Sequence, residues 1–247
     1  MTPSPSPPAT PTRGTPLLTR AAPGVWVMLA HGRPADGHLT DSDLAGAAHL
    51  HGVRAREHLA ARRALRALLT ARFPGAREAE VVYTRRGRPW LAGWPRLGIS
   101  VSHDGDAVAA CAALDHAVGL DVQHAPDDLS DALVRRCARE RAEDLNRLPQ
   151  RQRAREFAWM WTVQEACVKA AGTGLSGCPW SIDVPVPRTS GAWRGYRWVS
   201  LRRGASVPLS CAYAPLPAAS SPSPPRPPTA PPPLPPPSPP HAEREEP

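Results

Sequence analysis

Apolar residues recur along the chain with two periods, one helical and one extended. From about Thr40 or Asp41 to Phe73 the spacing is helical. In RAREHLAARRALRALLTARF, Leu59, Leu65, Leu68, Leu69 and Phe73 recur at helical spacing, while Arg56, Arg62, Arg63 and Arg66 fall on the other faces. Pro74-Gly75 ends this helix. A second amphipathic helix is predicted over 130–148 with Ser130 as its N-cap. A third, QRAREFAWMWTVQEACVKAA (152–171), is ended by Gly172. Strands are predicted at GVWVMLA (24–30), EVVY (80–83), LGISVS (97–102), AVAACAAL (107–114) and AVGLDVQ (117–123), and at WSIDVPV, YRWVSL and VPLSCAY near the end. RRGRPWL (85–91) reads as a turn with a basic tip. Residues 97–123 read as a β-meander, with His103 in the HDGD turn. The expected fold class is α+β. Two similar α/β halves, 23–116 and 117–214, form a pseudo-twofold monomer, each a small antiparallel sheet packed on a long helix.

Composition sets the ends apart. Of 33 prolines in 247 residues, sixteen lie from Pro215 to Pro247 and six before Leu17. Residues 1–22 and 215–247 therefore read as Pro-rich disordered tails, because such composition buries too little apolar surface to offset chain entropy. No apolar run approaches the ~18 residues of a membrane span, so no membrane association is expected. The first residues lack the apolar stretch of a secretory signal. Cys111, Cys137, Cys167, Cys178 and Cys211 are odd in number and widely spaced, so free thiols in a reducing cytoplasm are expected. The net charge of +8 comes from 29 arginines and one lysine, Lys169. Scattered arginine in so biased a chain says little about partners. No aromatic stacking cluster or recognition helix accompanies it, and no nucleic-acid partner is expected.

A few residues stand out chemically. Asp121 lies in an otherwise apolar strand, where a buried carboxylate must be paired, hydrogen-bonded or bound to metal; a solvent-facing Asp at the strand end is the competing reading. Val118, Leu120 and Val122 share one face of that strand, and Gly119, Asp121 and Gln123 the other. Glu165 and Lys169 are four apart on the third helix, which alone would be an ordinary surface pair. That helix runs into Gly172-Thr173-Gly174, whose backbone N–H groups can approach a ligand closely. His103 reads either as a turn histidine or as a hydrogen-bond donor to phosphate. His49 and His51 are assigned to the surface. The phosphate-loop, dinucleotide and nucleophile-elbow motifs are absent.

Three segments together resemble the 4′-phosphopantetheinyl transferases, in particular the larger monomeric type that activates peptide and polyketide synthetases. SVSHDGDAVAAC (100–111) is similar to that family's serine-histidine-serine-glycine strand turn. AVGLDVQ (117–123) is similar to its valine-glycine-x-aspartate-x-glutamate strand. FAWMWTVQEACVKAAGTGL (157–175) is similar to its tryptophan, lysine-glutamate-alanine, lysine, glycine-x-glycine-leucine helix. GRPWL (87–91) and AARRALRALL (60–69) resemble weaker family elements. The resemblance covers roughly 23–214 and is strongest over 97–175.

The resemblance implies a Mg²⁺-dependent reaction, with Mn²⁺ as the other candidate ion. A serine of an acidic acyl- or peptidyl-carrier protein attacks the β-phosphorus of coenzyme A, and adenosine 3′,5′-bisphosphate leaves. By family position Asp121, Gln123 and Glu165 hold the metal, and Glu165 is also the candidate base. Lys169 contacts the phosphates, helped by His103, Arg88 and Arg66; Trp161 packs the helix. Gln123 stands where the family has an acid, which predicts weaker metal binding. Gln164 stands where it has a lysine, which predicts looser coenzyme binding. Arg135, Arg136, Arg139 and Arg141 are expected to help dock the carrier. A coenzyme-binding homologue that has lost turnover is the alternative implied by the two glutamines.

Overall fold

The computed structural model describes residues 16–32 and 38–217. Two four-stranded antiparallel sheets carry the fold. The first contains β1 (Leu17–Ala22), β2 (Val25–His31), β5 (Leu97–Asp104) and β6 (Ala107–Leu114), in the order β1-β2-β6-β5. The second contains β7 (His116–Val122), β8 (Ser190–Trp193), β9 (Tyr196–Ser200) and β10 (Leu209–Pro215), in the order β7-β10-β9-β8. A short ribbon pairs β3 (Val81–Tyr83) with β4 (Pro89–Leu91). The helices are α1 (Asp41–Ala47), α2 (Gly52–Arg72), α3 (Asp131–Ala138), α4 (Ala142–Asn146) and α5 (Gln150–Ala171).

Three apolar clusters show how these layers bury one another. Leu65, Leu68 and Leu69 of α2 pack with Met28, Ile99, Val108 and Ala110 on one face of the first sheet. The other face, Val25, Val27, Leu29 and Ala109, meets Val118, Leu120, Val122 and Leu209 of the second sheet. Phe157, Met160, Val163 and Cys167 of α5 pack with Trp198 and Ala212 beyond it. The alternation expected for β7 therefore holds: its Val-Leu-Val face enters the sheet–sheet core, and its other face meets α5. Gly119 is what permits that approach. A Cβ there would lie 2.1 Å from Ala166 O and 2.3 Å from Ala170 N. Gly119→Ala is expected to destabilise the protein by about 1–3 kcal/mol or more, since backbone must yield. Urea unfolding checks this, and an unchanged midpoint would show that α5 is not seated there.

Several expected elements take another form. Strand β1 lies within the stretch expected to be a disordered tail; LLTRAA pairs with β2 instead, Leu18 opposite Met28. The rest of residues 1–22 and most of 215–247 lie outside the described residues. The single helix expected from 40 to 73 is two. Thr40 caps α1 through a capping box with Asp43, the chain opens at 48–51, and Gly52 at φ +57° starts α2. The 130–148 helix breaks at Arg139, whose φ is +49°. WSIDVPV is not a strand but a short 3-10 turn and loop. RRGRPWL contributes β4 as well as a turn. The expected meander stops at β6: Asp115 turns the chain at φ +59°, and β7 leaves to pair with β10. All five cysteines are free thiols. No helix among the described residues is long and apolar enough to cross a membrane.

Candidate active site

Helix α5 is buried nearly all round, as an interior helix must be. Between Glu156 and Ala170 every residue is buried except Trp161, Glu165 and Lys169. These are spaced by four, so they form one stripe on a single face. That stripe is where α5 opens to the site.

Opposite it, Asp121 projects from β7 and is 6% exposed. Lys169 Nζ donates to Asp121 Oδ1 at 2.6 Å and to Ser102 Oγ at 3.2 Å. Ser102 Oγ donates to the same Asp121 oxygen at 2.7 Å. Both hydrogen bonds described for this carboxylate thus fall on Oδ1. Glu165 joins the group. Its Oε1 is buried without a hydrogen-bond partner among the described residues. Burial pushes the Glu165 carboxyl above its ordinary range, the neighbouring Asp121 charge adds to the rise, and Lys169 opposes it. The two acids, 44 positions apart in sequence, therefore occupy one site.

Strands β5 and β7 belong to different sheets yet run side by side. Side chains join them in place of a backbone ladder. Ser100 Oγ accepts the Leu120 N–H at 3.1 Å, Ser102 Oγ the Val122 N–H at 3.3 Å, and Asp104 Oδ2 the His124 N–H at 2.6 Å. This seam fixes β7, and Asp121 with it, relative to β5.

Lys169 also faces a cavity of about 200 Å³, which Arg86, Arg88, Gly172 and Gly174 help to line. Tyr83, Ile99, Val101 and Val118 give it an apolar wall. Gly172, in the left-handed conformation at φ +68°, ends α5. A Cβ at Gly172 would meet Arg88 Cδ at 3.2 Å, so the glycine lets Arg88 lie across the helix end. There the guanidinium also complements the negative end of the helix dipole. Three cations on an apolar pocket suit a phosphorylated ligand with an apolar or aromatic part. The cavity is smaller than the ~300–1,000 Å³ that usually encloses a whole small ligand. It fits one end of a longer molecule. Larger hollows of about 730 Å³ near Arg151, Arg153 and Arg155 and about 510 Å³ near Arg56 and Glu57 touch none of Asp121, Glu165 and Lys169.

The other expected site residues are dispersed. Gln123 follows β7 half-buried, its N–H donating to Pro208 O at 3.0 Å. His103 lies in β5, paired with Val108, rather than in a turn; the turn starts at Gly105. Its ring approaches Glu57 to 4.0 Å. It shares the face of β5 that carries Ile99 and Val101, opposite Ser102. Arg66 is not brought to the site. It is fully buried and engaged by Asp43 Oδ2 at 2.7 Å, Arg77 O and Ala79 O at 2.7 Å, and Thr40 Oγ1 at 3.3 Å. Arg62 is buried too, against the expectation of an exposed face, because α1 folds back and supplies Asp43 to both. Gln164 points away from the cavity. Its Nε2 donates to Cys137 O at 3.0 Å and Ile182 O at 2.9 Å, so it ties α3 to the 179–182 turn. Ser102 and Arg86 received no role from the sequence. Ser102 stood in the quoted SVSHDG segment, and Arg86 in the basic tip.

Part of this site lies in a segment that is similar to known proteins. The profile of the 4′-phosphopantetheinyl transferase superfamily matches residues 117–203, the segment that contributes Asp121, Glu165 and Lys169. Over this segment the chain is similar to the 4′-phosphopantetheinyl transferase superfamily. Over 164 residues it is also 34% identical to an L-aminoadipate-semialdehyde dehydrogenase-phosphopantetheinyl transferase of Eremothecium gossypii. That alignment covers 58% of this chain, which spans only 59% of that relative's length. The matched segment runs from β7 through α5 to β9, while Ser102 and Arg88 come from outside it.

Proposed function

We propose that this protein transfers the 4′-phosphopantetheine group of coenzyme A to a serine of an acyl- or peptidyl-carrier protein, as a monomer in the cytoplasm, in the manner of the larger transferases that serve peptide and polyketide synthetases. The observation that carries this reading is the meeting of Asp121, Glu165 and Lys169 beside a cationic cavity. The two halves, 23–116 and 117–214, are read as related by an approximate twofold, each sheet carrying one long helix.

The donor set fits a hard divalent cation. Asp121 has one oxygen outside its described hydrogen bonds, Glu165 Oε1 is buried and unpartnered, and Gln123 follows Asp121 by two. Mg²⁺ or Mn²⁺ takes such oxygens while keeping waters and sharing phosphate oxygens. Asp121 and Glu165, with Gln123, would hold it. When bound, the ion supplies positive charge against the pyrophosphate.

The chain's own residues do the rest. Arg88 and Arg86 seat the nucleotide end of the coenzyme in the cavity, and Tyr83 and Ile99 cover its apolar surface. His103, reached around the end of β5, serves the remaining phosphate. Lys169 stabilises charge on the phosphates as a compact cation. Glu165, its proton affinity raised by burial, accepts the proton of the carrier serine. The serine oxygen bonds to the β-phosphorus, and the bond from that phosphorus to the bridging oxygen breaks. The bridging oxygen leaves on adenosine 3′,5′-bisphosphate, and the phosphopantetheine arm remains on the carrier. Arg135, Arg136 and Arg139 are exposed at α3, beside the exposed Leu133, and offer a basic face to an acidic carrier. Arg141 is committed to Asp183 at 2.7 Å.

Mass spectrometry of apo-carrier proteins incubated with the protein, coenzyme A and Mg²⁺ tests this. The expected product is carrier heavier by one phosphopantetheine, abolished by EDTA and by Asp121→Ala. Coenzyme binding without any mass gain across the panel would refute it.

A further inference from the structure

Ser102 is connected more fully than a seam residue needs to be. Of the three β5 side chains that capture amides of β7 or of the residues just after it, Ser100 and Asp104 have no described contact with the acid site. Ser102 is 7% exposed, and its hydroxyl is saturated. It donates its one proton to Asp121 Oδ1 at 2.7 Å and accepts from Val122 N–H at 3.3 Å and Lys169 Nζ at 3.2 Å. A serine hydroxyl has one donor and two acceptor sites, so all three are used and its proton has a single direction.

We propose that Ser102 is a positioning residue that orients the Asp121 carboxylate, occupying Oδ1 so that Oδ2 is presented to a divalent cation. This rests on the metal-assisted transfer proposed above. Lys169 also sits on Oδ1, but its ammonium ends a flexible stem and is needed at the phosphates. When it moves toward them, the Ser102 hydroxyl is the remaining described partner of Asp121. That hydroxyl is held by a backbone amide and cannot follow Lys169. It therefore keeps the carboxylate fixed in both states. Partners that orient a ligating carboxylate typically alter metal affinity by about 10–100-fold when removed.

Ser100 provides the control. It makes the same kind of seam bond, to Leu120 N–H, without touching Asp121. Titration calorimetry of the full chain with Mn²⁺ alone is expected to show binding weakened about 10–100-fold in S102A and unchanged in S100A. Thermal stability is expected to fall alike in both. In the carrier assay, S102A should need more Mg²⁺ for half-maximal rate while kcat at saturating Mg²⁺ is largely restored. Ser102→Cys fills the same space with only a weak donor and carries the same expectation where the alanine variant does not fold. Equal Mn²⁺ affinity of S102A and wild type, or equal losses in S100A and S102A, would overturn the role of Ser102 alone. A wild type that neither binds Mn²⁺ nor modifies carrier would overturn the proposed function, and this inference with it.

Discussion

Glu165→Gln is expected to lower kcat for holo-carrier formation by about 10²–10⁴-fold, the usual scale for loss of a general base, while making the protein slightly more stable at neutral pH. The opposite signs follow from one environment. Glu165 Oε1 is buried with no hydrogen-bond partner among the described residues. Burial and the nearby Asp121 charge raise its proton affinity above that of an unfolded glutamate, beyond what Lys169 offsets. For a carboxyl raised in the folded state, the folded protein binds the proton more tightly than the unfolded chain. Its ionisation therefore costs stability above the folded pKa, and the cost disappears as pH falls below the unfolded value of about 4.3. Glutamine keeps the shape and removes that cost. Rates from the carrier assay and urea midpoints at pH 7 check both halves. A variant that is inactive and also less stable would mean that Glu165 serves the fold rather than the reaction.

Asp43→Ala is expected to cost about 3–5 kcal/mol, the range for breaking a buried ion pair on one side. Asp43 is 2% and Arg66 0% exposed, and Asp43 takes both Arg66 Nε at 2.7 Å and Nη2 at 3.0 Å. Alanine leaves the guanidinium buried with only neutral acceptors. Burial alone would raise the Asp43 carboxyl. The Arg66 hydrogen bond, the Thr40 N–H and the charges of Arg66 and Arg62 outweigh it and hold the group below its ordinary range. A carboxyl lowered in the fold contributes stability that is complete above its unfolded value, about 3.9. That contribution is lost as pH falls through the lower folded value. The gap between variant and wild type should therefore be widest near neutrality and shrink in strong acid. Urea unfolding at pH 7 and in acid measures it. An Asp43→Ala protein as stable as wild type at pH 7 would show that the pair is not formed.

What could be read in advance divides along the range of the interaction. The limits of β6, the helix start near Thr40, the N-cap Ser130 and the end of α5 at Gly172 were legible, because each depends on a few neighbouring residues. So was the two-faced character of β7, which follows from the pleat. The breaks at 48–51 and Arg139 were not. Amphipathic spacing continues across both, and only tertiary packing favours opening the helix there. β1 was missed because LLTRAA is too short and too mixed to read as a strand without β2 beside it. Arg62 and Arg66 were misplaced for a related reason. Helical periodicity assigns arginine to the outside, and nothing in the local pattern shows that α1 returns with a carboxylate to neutralise them.

The candidate site divides in the same way. Asp121, Glu165 and Lys169 stood out from the chain, since an acid in an apolar strand and a sole lysine on the strongest helix are local anomalies. Their convergence did not. Lys169 meets Asp121 across 48 positions and Ser102 across 67. Ser102 met Asp121 and Lys169 only when β5 came to lie against β7, and the contact of Gln164 with α3 was equally invisible in the local pattern. Side-chain chemistry and backbone period are written residue by residue. Which polar groups end up sharing one desolvated space is set by how the layers pack, because a buried charge is tolerated only where the fold delivers its partner.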